Sequence, residues 1–128
     1  MPNRFKTHGD FSWTELMTTD VDGAKSFYKE ILGWAMEEMP MEGGTYTALK
    51  ASGEGVGGIM AMPTSVPPGT PPHWAAYVTV NDVDAVAAKV AEHGGQVLVP
   101  PQDIPNVGRF CTFQDPQGAV LLAISYSE

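Results

Sequence analysis

The run Asp20-Val21-Asp22-Gly23-Ala24-Lys25-Ser26-Phe27-Tyr28-Lys29-Glu30-Ile31-Leu32-Gly33 is echoed later in the chain by Asp82-Val83-Asp84-Ala85-Val86-Ala87-Ala88-Lys89-Val90-Ala91-Glu92-His93-Gly94-Gly95. Asp82 follows Asp20 by 62 residues, Glu92 follows Glu30 by 62, and Gly95 follows Gly33 by 62. A period near half the chain length means two copies of one supersecondary unit; a solenoid would need several short repeats. In the first copy, Asp20 is a good helix N-cap, because its carboxylate can accept from the unpaired N–H groups of the first turn. Ala24, Phe27, Tyr28, Ile31 and Leu32 recur at helical spacing, so residues 21–32 read as an amphipathic helix that Gly33 closes. In the second copy Asp82 is the cap, Val83, Val86, Ala87 and Val90 form the buried stripe, and Gly94-Gly95 ends the run.

The segments around these helices read as strands. Phe11 to Thr18 precedes the first helix, and strand-like runs follow at about 34–39, 45–51 and 56–62, with Gly43-Gly44 as a turn. Pro63-Thr64-Ser65-Val66-Pro67-Pro68-Gly69-Thr70-Pro71-Pro72 cannot hold regular structure and reads as a linker. His73 to Val80 is the next strand, and strands follow the second helix at about 96–99, 108–114 and 119–126. Asp115-Pro116-Gln117-Gly118 is a turn with proline and glycine where turn geometry favours them. The expectation is one α+β domain over 1–128. It has two βαβββ modules, at 10–62 and 73–126, joined by the linker at 63–72. Gly53-Glu54-Gly55-Val56-Gly57-Gly58 contains GxGxxG, but a dinucleotide fingerprint needs a helix after it. Here Ile59-Met60-Ala61-Met62-Pro63 follows, so the reading is a turn and a strand.

Composition narrows the classes of function. The chain has 128 residues, 43% hydrophobic and 17% charged, with a net charge of −8. These are values of a single globular domain with a core of its own. The acidity argues against nucleic acid and anionic membrane, because phosphates are repelled. Cys111 is the single cysteine. In its apolar run it reads as a small buried hydrophobe, with Arg109 on the same side of the strand. Met1 to Asp10 lacks an apolar stretch and does not read as a signal peptide, and no run is long enough to span a membrane. The expected location is the cytoplasm.

Two βαβββ halves carrying Asp20…Phe27-Tyr28…Leu32-Gly33-Trp34, Asp82-Val83-Asp84…Gly94-Gly95 and Asp115-Pro116-Gln117-Gly118 resemble the vicinal oxygen chelate superfamily, the group of glyoxalase I, bleomycin-resistance proteins and extradiol dioxygenases. The resemblance covers residues 10–126. It implies that each half curls a mixed sheet with one covering helix, that a cleft forms between the modules, and that the chain pairs as a homodimer. Metal-dependent members hold one divalent ion with His, Gln or Glu from the first and last strand of each half. Carried over, those positions are Trp13, Ala75 and Leu122, and Met60 when the 62-residue interval is applied to Leu122. None suits a hard or borderline divalent ion. Slipping a strand by one residue brings no ligand, and only a slip of two would bring in Glu15, Tyr77 and His73. The expectation is no metal and no cofactor.

If Trp13 and Ala75 face inward, alternation puts Glu15, Met17, His73, Tyr77 and Thr79 on the same face. The residues expected to meet a ligand are Trp13, Met60, His73, Ala75, Arg109 and Leu122. Glu15 and Tyr77 are the candidate catalytic pair, as mates across the repeat. A buried carboxyl beside an indole tends to a raised pKa, which suits a general base. Glu15 could instead pair with Arg109 or Arg4, or hydrogen-bond a backbone edge. The first reading is metal-free binding of a small, partly apolar molecule. Others are a metal-independent proton-transfer enzyme, a metal-dependent lyase, isomerase or dioxygenase, and a dimerisation or regulatory module with a closed cleft.

Overall fold

A computed structural model describes residues 3–41, 44–64 and 66–127. Gly43 of the expected turn, Ser65 of the expected linker, and Met1 and Pro2 of the N-terminal segment lie outside the described residues. The elements run β1 (Phe11–Thr18), α1 (Val21–Leu32), β2 (Ala35–Met41), β3 (Gly44–Ala51), β4 (Glu54–Ala61), β5 (His73–Thr79), α2 (Val83–Glu92), β6 (Gln96–Ile104), β7 (Gly108–Gln114) and β8 (Val120–Tyr126). This is the α+β class with two βαβββ modules. No helix among the described residues is long and apolar enough to cross a membrane.

The caps are where the sequence puts them. Asp20 accepts from the Gly23 N–H at 2.9 Å, and Asp82 accepts from the Ala85 N–H at 3.1 Å. Gly33 sits at φ 71°, the left-handed conformation that glycine tolerates, and its N–H returns to the Lys29 carbonyl. At the Asp115 turn, the aspartate carboxylate accepts from the N–H groups of Gln117 and Ala119, each at 2.9 Å.

Contacts divide the chain into two compact units. One holds Thr14–Ala75; the other holds the residues up to Trp13 together with those from Ala76 onward. The N-terminal segment thus associates with the second half. The Gly9 and Thr79 backbones bond each other's neighbourhood (Gly9 N–H to Thr79 O, Thr79 N–H to Asp10 O), and Ser12 Oγ lies 2.7 Å from the Tyr126 hydroxyl. The sequence boundaries follow the repeat; the contact boundaries follow these hydrogen bonds.

In the first unit the strand order is β2-β3-β4-β1, antiparallel except for the parallel β1–β4 pair. Leu16, Leu49 and Ile59 form its core beneath α1, with Val21, Ala24, Tyr28, Trp34 and Met36 packed around them. In the second unit the order is β5-β8-β7-β6, with β5–β8 parallel. Its core is Val80, Val83, Cys111 and Ala123 beneath α2. Cys111 is fully buried, and desolvation pushes its thiol pKa up, as expected of a core thiol.

Three features depart from the sequence reading. Strand β6 continues through Pro100-Pro101 to Ile104. Proline is tolerated because β6 is an edge strand, and its pairing with β7 shifts register around the prolines. On α1, Phe27, Ile31 and Leu32 are more than half exposed, and no residue of the helix is fully buried. Helical spacing fixes a stripe but not what covers it. Last, the 62-residue interval fails in the final strand of each module. Glu15 pairs with Gly58 across β1–β4, and Tyr77, 62 residues after Glu15, pairs with Leu122 across β5–β8. The counterpart of Leu122 is therefore Gly58, not Met60. Strand β6 has nine residues against seven in β2, which accounts for the two-residue slip.

Candidate functional site

Strand alternation assigns each candidate to a face. In the first unit, Leu16, Leu49 and Ile59 point to α1. Their neighbours Glu15, Met17, Ala48, Gly58 and Met60 therefore share the opposite, helix-free face. Register sets them in two rows. Glu37, Ala48, Gly58 and Glu15 form one; in the other Tyr46 lies across from Met39, and Met60 across from Met17.

Glu15 is the group on this face that needs explaining. It is only 6% exposed, and its Oε2 accepts a hydrogen bond from the Tyr46 hydroxyl at 2.9 Å. A buried carboxylate is costly unless hydrogen-bonded, and a bond to a charged acceptor is stronger than a neutral one. Gly58 makes this bond possible. A Cβ built at Gly58 would fall on the Tyr46 hydroxyl and ring. Tyr46 thus crosses β4 through the space a side chain would take, and reaches β1. The expected partners of Glu15 are an arginine, a backbone edge or Tyr77; in its own unit Tyr46 donates to it. Sequence reasoning missed Tyr46, although a glycine inside a strand is a signal that another group approaches closely.

Arg109 requires a correction. It had been expected among the ligand-facing residues or beside Glu15. Its Nε and Nη2 instead donate to Asp84 at 2.8 and 2.9 Å, and its Nη1 donates to Asp103 at 3.0 Å. The pairing holds the Asp84 carboxyl below the usual range and the guanidinium above its own. Arg109 pairs with Ser125 in register, while Leu122 pairs with Thr112. That parity puts Arg109 on the α2 side with Cys111 and Ala123, away from the face of Leu122 and Tyr77.

Of the remaining candidates, Tyr77 and Leu122 are buried side by side on the helix-free face of the second unit. Trp13 is half-buried in that unit, its ring 6.5 Å from Phe5, which in turn meets Tyr126 edge-on at 5.1 Å. In the first unit, Ala75 is buried, Met60 is half-buried, and His73 Nδ1 lies 2.9 Å from the Pro71 carbonyl at the start of β5. An open groove of about 500 Å³ lined by Lys25, Ser26, Lys29, Met36 and Glu38 lies on the α1 side, not on this face.

The geometry can be set beside known proteins. The profile of the Glyoxalase/Bleomycin resistance protein/Dioxygenase superfamily matches residues 10–122. The chain belongs to this superfamily. A protein of Mycobacterium bovis named "Putative glyoxylase CFP32" is 42% identical to this superfamily member over 124 residues, which are 94% of this chain and 48% of that protein. The "Anthracycline biosynthesis protein DauV" of a Streptomyces species is 31% identical over 120 residues, 84% of this chain and 44% of that one. The chain spans about half the length of these relatives. Among solved structures, methylmalonyl-CoA epimerase from Mycobacterium tuberculosis aligns with a TM-score of 0.67 at 16% identity, covering 94% of this chain and 89% of that one. At that identity the likeness shows the fold alone.

The superfamily's metal-dependent members raise the question whether this chain's residues fit an ion. With Gly58 replacing Met60 as the fourth position, the set is Trp13, Gly58, Ala75 and Leu122. Indole, alkyl groups and a bare backbone do not fit a divalent ion. Among the described residues, no three His, Cys, Asp or Glu side chains are grouped so that they could hold one.

Proposed function

We propose that this superfamily member binds a small, partly apolar molecule without a metal, on the helix-free face of its first unit. Glu15 and Tyr46 are the orienting polar groups, and Met17, Met60 and Ala48 are the apolar lining. The observation that carries the reading is the buried Glu15–Tyr46 hydrogen bond on the strand face that also carries Met17 and Met60. Ligand sites combine an apolar lining with a few placed polar groups, and methionine adapts its shape to varied guests. The same pair supports a second reading, in which Glu15 takes a proton from a bound carbon acid while the Tyr46 O–H stabilises the carboxylate before transfer.

The test is a thermal-shift screen of an aromatic fragment library that includes an anthracycline, with hits carried into calorimetric titration. Binding to the folded state raises apparent stability. Glu15→Gln is expected to weaken binding of the hits about tenfold, or about 1.4 kcal/mol, and Tyr46→Phe severalfold. Turnover of a hit that is lost in Glu15→Gln while binding persists would favour the second reading. No hit at millimolar concentration, or hits bound equally by all three proteins, contradicts the proposal.

A further inference from the structure

The N-terminal segment packs on the helix-free face of the second unit. In that unit Val78, Val80 and Ala123 lie beneath α2, so alternation turns Thr79, Ile124 and Tyr126 to the other side. Phe5 is half-buried there, edge-on to Tyr126 at 5.1 Å and 6.5 Å from the Trp13 ring. The Thr79 hydroxyl, in a residue 3% exposed, donates to the Arg4 carbonyl at 2.6 Å. Other ties are the Gly9 and Asp10 bonds to the Thr79 backbone, the Asn81 N–H donating to His8 Nδ1 at 2.9 Å, and Arg4 Nε donating to the Ser12 carbonyl at 3.2 Å. Phe5 is the one large apolar side chain between Asn3 and Asp10. A segment anchored by a single ring belongs to the low-stability end of a structure, where local opening costs least.

We propose that Phe5 and the Arg4 carbonyl fill a second binding site, on the second unit, whose ligands are N-acylated aromatic amines and amino acids. The Arg4 carbonyl is the acyl group on the Phe5 nitrogen, so the chain itself presents a molecule of this class to the site. Two contacts define the recognition. The ring meets the Tyr126 and Trp13 rings, and the acyl oxygen accepts from the Thr79 hydroxyl. Edge-to-face aromatic pairs stabilise beyond the area they bury. A buried hydroxyl that loses its acceptor is destabilising, so an entering molecule must offer the oxygen as well as the ring. Release of the segment and entry of the ligand are linked. A free ligand binds only those molecules in which Phe5 is out, and its apparent affinity falls by that fraction. The inference concerns the second unit and stands apart from the Glu15–Tyr46 reading of the first.

N-acetyl-phenylalaninamide carries the same ring and the same acyl oxygen, and is the probe for a calorimetric titration. Phe5→Ala, which vacates the ring position, is expected to bind it at least tenfold more tightly than the wild type. Thr79→Val in the Phe5→Ala background is expected to weaken that binding severalfold, and N-acetyl-alaninamide, which has no ring, is expected not to bind Phe5→Ala. Hydrogen exchange on the wild type needs no variant. Saturating probe is expected to speed exchange of the Gly9 N–H, bonded to the Thr79 carbonyl, and to leave unchanged that of the Val80 N–H, bonded to the Ile124 carbonyl. The proposal is overturned if Phe5→Ala fails to bind the probe at millimolar concentration, if Phe5→Ala and the wild type bind it equally, if Thr79→Val leaves the affinity intact, or if the probe does not alter Gly9 exchange.

Discussion

Gly58→Val is expected to destabilise the protein by about 4 kcal/mol, the sum of an overpacked site and a broken hydrogen bond to a buried carboxyl. The backbone is not the cause, since Gly58 is absent from the positive-φ glycines. The cost arises because the new Cβ takes the place of the Tyr46 hydroxyl and ring. Tyr46 must swing away, and Glu15 then loses that donor in a buried setting. The assignment predicts a specific coupling. In a Tyr46→Ala background the collision is already gone, so Gly58→Val should cost only about 1 kcal/mol, and a double-mutant cycle should show an interaction of about 3 kcal/mol. Urea unfolding of the four proteins measures it. Additive effects would mean that Tyr46 does not occupy the Gly58 notch.

Ile59→Ala is expected to cost about 3–4 kcal/mol, with a melting temperature lower by roughly 10 °C. Ile59 is fully buried and packs in one core cluster with Leu16 and Leu49, so truncating it leaves a cavity among apolar side chains. Phe27→Ala, which removes a larger side chain, should change the melting temperature of the monomer much less because Phe27 already faces solvent. Calorimetric scans of both variants under dilute conditions decide the comparison. Equal losses would place Phe27 in the core and remove the exposed face of α1.

These two predictions lie where the chain was least legible as a string. Helix limits were readable because their determinants are local: Asp20, Asp82 and Gly33 act on backbone groups within a few residues. The Asp115 turn was readable for the same reason. The internal interval carried the equivalence of Glu15 and Tyr77, since β1 and α1 repeat without insertion. It failed at Met60 because the longer β6 sits between α2 and β8, and only strand pairing reveals the two-residue slip to Gly58. Tyr46 was invisible because its partner is 31 residues away and its path depends on an absent side chain two strands' width across. Arg109 had the parity expected, on one side with Cys111. Its carboxylate partners come from α2 and β6, and only the fold brings them within reach. Phe27, Ile31 and Leu32 satisfied a helical period that Val21, Ala24 and Tyr28 satisfied equally well. Periodicity alone could not say which of them the sheet would cover.

The metal question turns on the same correction. With Gly58 in place of Met60, the family positions lack even a thioether, and the proposed binding face draws its polar groups from Glu15 and Tyr46. The most direct measurement is a methyl spectrum of the protein labelled at its methionines, recorded with a screening hit before and after a strong chelator is added. The account predicts that the Met17 and Met60 resonances shift on binding and that the shifts survive chelation. Shifts that vanish with the chelator and return with a divalent ion, or that leave Met17 and Met60 unmoved, would contradict it.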